Sequence, residues 1–429
     1  MIKVIISPFL ATTRKQGKSV CKMLMGHGTA SVIVFSILLQ ILILGRYLDN
    51  SIISRYAPTA TDALDYTNRA EIWRTQSFSD AFSDVSRMPG YPLLLLVNTT
   101  LFSDYAYFAT RVFQLLALAI AAGLIKVALQ KYICQELAIA SAMMFSILPI
   151  WHFVPVLIGE AITAVVICIL LFTLSKVHNT TINSKITFVI SVCVAVLTYI
   201  KPNNILIVFP ILGFFLFSKN SKVTKTFFKI LLIILLLMSP WMIFANGAQK
   251  GFIGFTANSG INAYIGTGMI LKYDESALAQ SAIKWKVDPM QNPLDIVIDD
   301  LDLNPLERNS IFTQKAIQIW EKRFWSQLAY GFEKVKFAFS LNSPSILGVL
   351  LGIFNVLGLL AGIALLKFAP LRSWGIALLL IALTLSVQAI VFQADRRFVV
   401  PIFFPFAVFC MGLVFSKFLA IFREKSTDQ

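Results

Sequence analysis

Two short motifs within one polar segment carry residues whose types and spacing suit chemistry. The segment TDALDYTNRAEIWRTQSFSDAFSDVSRMPGYP runs from Thr61 to Pro92, between two strongly apolar stretches. Asp62 and Tyr66 are four residues apart, so they can share one side of a helix that begins at Thr61 or Asp62. Two interpretations of Asp62 are open: a first-turn acid that the helix dipole favours, or a functional carboxylate.

The second motif, RMPGYP, ends the polar segment. Its two prolines, on either side of Gly-Tyr, fix a turn and then start a helix. Arg87 would therefore lie at a helix N-terminus, where anions bind. The alternative is a stiff helix entry with Arg87 merely extending to water.

Two charged residues lie next to apolar stretches further along the chain. Glu160 occurs in IGEAITAVVICILLF, and Lys201 in LTYIKPNNILIVFP directly before a proline. A charge placed in a bilayer costs about 2.5–3.5 kcal/mol, so a functional or paired role is the default expectation. Lys201 either serves function or reaches the interface at a broken helix end, and Glu160 either serves function or pairs with a basic group such as Arg111.

The elements that must position these residues are membrane helices. Hydrophobic residues make up 57% of the chain and the mean hydropathy is +0.76, far from a soluble domain. We predict an all-α bundle of about 10–12 spans, with an interfacial or re-entrant helix over 91–102. The predicted spans are 29–45, 105–129, 136–151, 155–174, 186–200, 203–218, 230–245, 345–366, 373–392 and 399–419.

The distribution of charge predicts the topology. The net charge is +15, and the excess of Lys and Arg falls in the pieces that an inside N-terminus makes cytoplasmic. We therefore expect a membrane-embedded chain and no nucleic-acid partner. The predicted organisation is a basic tail (1–28), a first span (29–45), a first outer loop (46–104), helices (105–245), a large outer loop (246–342), C-terminal helices (343–420) and a second inside tail (421–429).

The large outer loop contains one clear helix signal, in NPLERNSIFTQKAIQIWEKRFW. Asn304 can cap this helix, Pro305 suits its first position, and Glu307 completes a box-like pattern. Its apolar residues keep roughly one face, which predicts a helix lying on the membrane surface. These residues are Phe312, Ala316, Ile319 and Phe324.

In order along the chain, six motifs resemble those of the GT-C glycosyltransferases. More narrowly, they are similar to the bacterial relatives of protein mannosyltransferases and lipid A aminoarabinose transferases. The matching pieces are TDALDYTNRAEIW…SRMPGYPLLLL, IGEAITAVVICILLF, LTYIKPNNILIVFP, GINAYIGTG, QKAIQIWEKRFWSQLAYGFEKVKF and DRRFVVPIFFPF. Together they cover most of residues 60–410.

The resemblance implies a bundle of GT-C type whose two long periplasmic loops carry interfacial helices. It also implies a catalytic role for Asp62, as the base that takes the proton of the acceptor hydroxyl. The residues it implies in substrate binding are Tyr66, Arg87, Tyr91, Glu160, Lys201, Asn262, Arg396 and Arg397. Tyr66 would orient the Asp62 carboxylate, and Arg87, Lys201 and one of Arg396 and Arg397 would hold the donor phosphate.

The expected activity is inverting transfer of a sugar from a polyprenyl (undecaprenyl) phosphate donor to a periplasmic acceptor in the cell envelope. The acceptor would be a lipid, a glycan or a protein. The expected location is the bacterial inner membrane, with both termini cytoplasmic and the active site periplasmic. Many relatives have two adjacent acids where Asp62 is followed by Ala63, so no metal ligand is assigned and a divalent metal remains an open alternative.

Two other kinds of protein fit the same features less well. A transporter or flippase for lipid-linked glycans would carry central charges and two-fold pseudo-repeats, and the sequence has no internal repeat. A polysaccharide polymerase or ligase would use a diphosphate-linked glycan instead, and a non-catalytic assembly subunit would tolerate loss of Asp62, Arg87 and Lys201.

Overall fold

The computed structural model describes most of the chain as helices, with no strand among the described residues. The described residues are 28–47, 61–76, 87–148, 153–154, 156–177, 182–218, 223–248, 255–256, 258–268, 304–341, 343, 345–392 and 394–427. The predicted basic tail before residue 28 and large parts of both predicted loops lie outside them.

Fifteen α-helices, numbered here in chain order, make up the described fold. They are α1 (Gly28–Tyr47), α2 (Thr61–Thr75), α3 (Gly90–Phe102), α4 (Ala106–Leu129), α5 (Gln135–Ile147), α6 (Glu160–Val177), α7 (Ser184–Ile200), α8 (Val208–Phe217), α9 (Val223–Ala248), α10 (Ser259–Gly268), α11 (Pro305–Lys322), α12 (Phe324–Ala338), α13 (Ile346–Leu365), α14 (Arg372–Val391) and α15 (Arg396–Thr427). Short 3-10 turns precede α4, α8 and α14.

The ten predicted spans all coincide with apolar helices. Among the described residues, six stretches are long and apolar enough to cross a membrane: Gly90–Leu129, Glu160–Val177, Thr224–Gly247, Ile346–Leu365, Ala369–Val391 and Arg396–Phe422. Four shorter apolar helices complete the set: Gly28–Leu42, Gln135–Ile147, Ser184–Ile200 and Pro202–Phe217. The chain is thus a polytopic helical membrane protein.

Some predicted boundaries and one predicted face differ from the structure. The span expected from residue 155 begins as a helix only at Glu160, because the preceding residues form a turn in which Leu157 has a φ of 57°. In the large loop, Phe324 does not continue the apolar face of α11. The helix ends at Lys322, and Phe324 starts α12 with 49% of its surface exposed.

The last helix, α15, forms the centre of the bundle. It packs against α5, α6, α13 and α14, and nearly every residue from Val399 to Cys410 is buried. Pro401 and Pro405 lie inside this helix, where each removes one backbone hydrogen-bond donor. Because α15 packs against these helices along its length, its first residues lie at one end of the core.

Three helices of the large predicted outer loop, α10, α11 and α12, lie at this end of the bundle. The cap predicted for α11 is confirmed: the Asn304 Oδ1 atom accepts a hydrogen bond from the Glu307 amide at 2.9 Å, with Pro305 at the first position. The buried face of α11, Phe312 and Ala316, packs against α10. The α12 helix packs on α14 and α15.

Candidate active site

The helix α2 sets the position of Asp62. As predicted, α2 begins at Thr61. One side of the helix, with Ala63, Tyr66 and Ala70, is buried. These residues pack against Tyr91 and Leu95 of α3, where the rings of Tyr66 and Tyr91 meet edge to face with centroids 5.2 Å apart. Asp62 remains partly exposed at the start of the helix.

Two glycines bring the site motifs against the end of α7. A Cβ atom at Gly90 would lie 2.6 Å from the Tyr199 carbonyl oxygen, and one at Gly159 would lie 2.4 Å from the Ile200 Cγ2 atom. Real Cβ atoms do not approach so closely, so both positions require glycine in this packing. The residues that flank these contacts, Arg87, Glu160 and Lys201, are thereby drawn together.

A chain of ion pairs connects α2 to the first turn of α15. The Arg87 Nη2 atom donates a hydrogen bond to Asp62 Oδ1 at 2.8 Å, and its Nε atom donates to Asp65 Oδ2 at 2.8 Å. The Arg397 Nη1 atom donates to the other oxygen of Asp62, while Arg397 Nε lies 2.8 Å from Asp395 Oδ2. Both oxygens of Asp62 therefore face a guanidinium.

This arrangement determines the protonation state of Asp62. Burial alone would raise the pKa of its carboxyl, but the nearby charges of Arg397 and Arg87 outweigh burial and lower the pKa to about 2. The carboxylate is thus ionised at neutral pH and is a weak base while both arginines hold it. The hydrogen bonds to this carboxylate come from Arg87 and Arg397, and the role of Tyr66 in orienting it stays a prediction.

The two membrane charges that the sequence singles out pair with each other. The Lys201 Nζ atom donates a hydrogen bond to Glu160 Oε1, and Arg397 Nε lies 3.9 Å from the same oxygen. Glu160 thus pairs with a basic group, which is Lys201 rather than the suggested Arg111. Glu160 is 1% exposed, and its Oε2 atom has no hydrogen-bond partner among the described residues. That buried oxygen is available to accept a hydrogen bond from a hydroxyl of a bound molecule.

These side chains line one cavity of about 510 Å³, within the range of roughly 300–1,000 Å³ usual for small-molecule sites. Seven of the nine predicted site residues line it: Asp62, Tyr66, Arg87, Glu160, Lys201, Asn262 and Arg397. Tyr91 does not line it. Its ring packs against the ring of Tyr66, and its hydroxyl lies 3.4 Å from Gln114 Oε1. Arg396 lies instead over the ring of Phe337, at 4.7 Å.

Several charged residues that line the cavity or contact its lining were not among the predicted ones. Asp65 bridges Arg87 and Arg69, which lies four residues further along the same helix. Asp395 stands two residues before Arg397 and contacts it. Arg308, on α11, lines the cavity from the side of the outer helices. No local pattern in the sequence distinguishes Arg308 from the other charges of an amphipathic helix.

The acids of the cavity face cations rather than one another. Asp62, Asp65 and Glu160 each contact an arginine or a lysine. Within the described ranges, no three His, Cys, Asp or Glu side chains are grouped closely enough to ligate a metal ion. Anionic groups of a bound molecule would instead meet Arg87, Lys201 and Arg397, whose donors suit phosphate oxygens.

Comparison with known proteins gives a fold but no close relative. No family model matches the chain, and no curated protein matches it. A solved structure of the archaeal oligosaccharyltransferase AglB from Archaeoglobus fulgidus, in complex with an inhibitory peptide and a dolichol-phosphate, superposes with a TM-score of 0.54 over 94% of this chain. The fold is GT-C-like. Sequence identity to AglB is 11%, and the chain spans about half, 52%, of the AglB chain.

Proposed function

We propose that the protein is a membrane glycosyltransferase that takes its sugar from a polyprenyl-phosphate donor. One observation carries the proposal: in a GT-C-like fold, a single cavity at the end of the spanning helices combines a carboxylate with three cations. The carboxylate is Asp62, and the cations are Arg87, Lys201 and Arg397. AglB, which shares the fold, was solved with a dolichol-phosphate, and that ligand belongs to the chemical class proposed here.

The cations would hold the donor phosphate. A phosphate that enters between Arg87 and Arg397 competes with Asp62 for the same guanidinium donors, because an arginine fork binds phosphate oxygens in pairs. As these donors turn to the phosphate, the two interactions that depress the pKa of Asp62 weaken. Donor binding thereby converts a weak base into a stronger one, and the carboxylate becomes available only when the donor is present.

The proposed reaction is a single displacement with inversion at the sugar. The acceptor hydroxyl oxygen attacks the anomeric carbon and forms the new C–O bond, while Asp62 takes the hydroxyl proton. The bond between the anomeric carbon and the phosphate oxygen breaks, and the phosphate leaves with the electron pair, still attached to its lipid. Arg87, Lys201 and Arg397 would stabilise the charge that develops on this leaving group.

Glu160 and Asn262 would position the sugar. The unpartnered Oε2 atom of Glu160 can accept a hydrogen bond from a sugar hydroxyl, since the other oxygen is already held by Lys201. Asn262, on α10, lines the opposite part of the cavity with an amide that both donates and accepts. We place the reaction at the periplasmic face of a bacterial inner membrane, with an acceptor belonging to the cell envelope.

The decisive experiment is sugar release or transfer from a panel of radiolabelled undecaprenyl-phosphate sugars by the purified protein in lipid bilayers. We expect one donor to be turned over by the wild type and about 10²–10⁴-fold more slowly by Asp62→Asn. Asp104→Asn is the matched control, because Asp104 is an exposed acid outside the cavity.

The panel also includes diphosphate-linked glycans, which a polymerase or ligase would use. Near-normal transfer by Asp62→Asn would remove Asp62 from the mechanism. Movement of intact lipid-linked sugar across the bilayer without any release would identify a transporter instead.

A further inference from the structure

The charges that line the cavity are matched, with one exception. Five cations and three acids line it: Arg69, Arg87, Lys201, Arg308 and Arg397, with Asp62, Asp65 and Glu160. Asp65 pairs with Arg69 and Arg87, Asp62 with Arg87 and Arg397, and Glu160 with Lys201. Arg308 takes part in none of these pairs.

One guanidinium nitrogen of Arg308 lacks an acceptor in the described part of the chain. Its Nε atom is buried without a hydrogen-bond partner there. A buried guanidinium donor that lacks a partner destabilises the folded state. Such a group is therefore expected to serve a ligand that supplies the missing acceptor.

A helix cap and hydrogen bonds to a neighbouring helix fix the backbone on both sides of Arg308. The capped first turn of α11 precedes it. The next residue, Asn309, accepts hydrogen bonds through Oδ1 from the Gly260 amide at 2.7 Å and the Ser259 hydroxyl at 3.1 Å. A Cβ atom at Gly260 would lie 2.1 Å from the Asn309 carbonyl oxygen, so α10 and α11 are in direct backbone contact.

The part of the cavity lining around Arg308 also contains neutral polar groups. Thr256, Asn258 and Asn262 line it beside Arg308. Arg87, Lys201 and Arg397 belong instead to the ends of the spanning helices and to the turn before α3. The cavity thus has two cationic regions carried by different elements.

We propose that the cavity binds a second anionic group, a phosphate or a carboxylate, at Arg308. The proposal rests on the proposed function, in which the first anion is the donor phosphate at Arg87, Lys201 and Arg397. The second anion can come from the acceptor, or from the second phosphate of a diphosphate-linked donor. In either case the substrates bring two anionic groups into one cavity.

Binding measurements on the full chain in bilayers of zwitterionic lipid test this and separate the two sources. In one arm, undecaprenyl phosphate and undecaprenyl diphosphate are titrated separately. In the other, inorganic phosphate is titrated with and without saturating undecaprenyl phosphate. The variants are Arg308→Gln and, as the matched control, Lys322→Gln, an exposed cation on the same helix that does not line the cavity.

If the donor supplies the second anion, the wild type binds the diphosphate lipid more tightly than the monophosphate lipid. If the acceptor supplies it, the wild type loaded with undecaprenyl phosphate still binds inorganic phosphate. In the arm that shows the second anion, Arg308→Gln should lose about tenfold or more in affinity. That loss should exceed its loss for the monophosphate lipid, and Lys322→Gln should match the wild type.

The proposal is overturned if the wild type shows a second anion in neither arm, or if Arg308→Gln binds every probe as the wild type does. Failure of the proposed function has a different signature. In that case undecaprenyl phosphate binding is insensitive to Lys201→Gln, while the inorganic phosphate titration without lipid still reports on Arg308. Unchanged protection of the buried thiols Cys168 and Cys410 in Arg308→Gln shows that a loss of binding is not a loss of folding.

Discussion

The substitution Lys201→Met leaves the Glu160 carboxylate buried without its ammonium partner. Glu160 has a side chain that is 1% exposed, whereas that of Lys201 is 17% exposed. Removing one member of a buried ion pair costs about 3–5 kcal/mol of folding stability. Because Arg397 Nε lies 3.9 Å from Glu160 Oε1, it offsets part of this cost, and we expect Lys201→Met to lose about 3 kcal/mol.

The reverse substitution should be milder. In Glu160→Gln, the freed ammonium of Lys201 can reach water in the cavity and already lies 4.5 Å from the ring of Phe398. We expect a loss of about 2 kcal/mol, typical of one charged hydrogen bond. The double variant contains neither charge, so it should be no less stable than Lys201→Met alone. The coupling energy of the cycle should therefore be about 2 kcal/mol or more.

Equilibrium unfolding in mixed micelles of increasing SDS content can measure this cycle. Thiol labelling is a suitable readout, because Cys168, Cys193 and Cys410 are buried and react only when the bundle opens. Cys134, which is exposed, and Cys21 are first replaced by serine. Sugar transfer is measured on the same four proteins.

The outcome separates a structural pair from a functional one. If the pair is purely structural, the double variant is no less stable than Lys201→Met and transfers sugar. If the pair also binds substrate, the double variant is no less stable than Lys201→Met but remains inactive, which is the result we expect. Additive losses of stability, or a Lys201→Met protein as stable as the wild type, would refute the reasoning about burial.

Three further predictions concern other parts of the site. The pKa of Asp62 in the folded state, about 2, lies below the ordinary value of 3.8. The ionised carboxylate therefore stabilises the fold above pH 3.8, and this stabilisation is lost as the pH falls towards 2. Acid unfolding of the wild type and of Asp62→Asn can test this. Gly90→Ala should cost about 1–3 kcal/mol by pushing α3 from α7, whereas Gly247→Ala, with no atom within 4 Å, should not, as unfolding midpoints will show. The Lys334 Nζ atom donates hydrogen bonds to the carbonyls of Gly266, Ile390 and Phe392, at 2.6, 2.8 and 3.1 Å, and so connects α10 to α14. Lys334→Met should therefore speed hydrogen exchange in α10 about tenfold or more. Substitution of the exposed Lys336 by Met should leave this exchange unchanged.

Local signals in the sequence predicted the helices well. Apolar runs located helices at all ten predicted spans, since a bilayer demands apolar helices, and six stretches are long and apolar enough to cross a membrane. The Asn304 cap could be predicted because it depends only on residues within one helical turn. The boundary errors at Glu160 and Phe324 have the same cause: a turn that packing fixes, at Leu157 and at Arg323, interrupts a stretch whose composition is continuous.

The site was predictable where a charge lies in unusual surroundings. Glu160 and Lys201 stand out because their neighbours in sequence are apolar, and the structure brings both into the cavity. Their pairing could not be read from the sequence, since 41 positions separate them and the contact depends on how α6 meets α7. Arg308 gave no signal for the opposite reason: it lies among many charges, and only the packing of α10 on α11 directs it to the cavity.

The ion pair between Asp62 and Arg397 spans 335 positions of the chain, which bears on when the protein acquires its activity during synthesis. Helices enter the membrane in order from the N-terminus, so Asp62 and Arg87 are in place long before the last span is made. Until α15 inserts, the cavity lacks both its central wall and one of its cations. A nascent or truncated chain therefore carries an incomplete site, and under the proposed function it would not consume a lipid-linked sugar. Insertion of the last helix completes the bundle and the proposed catalytic centre in the same event.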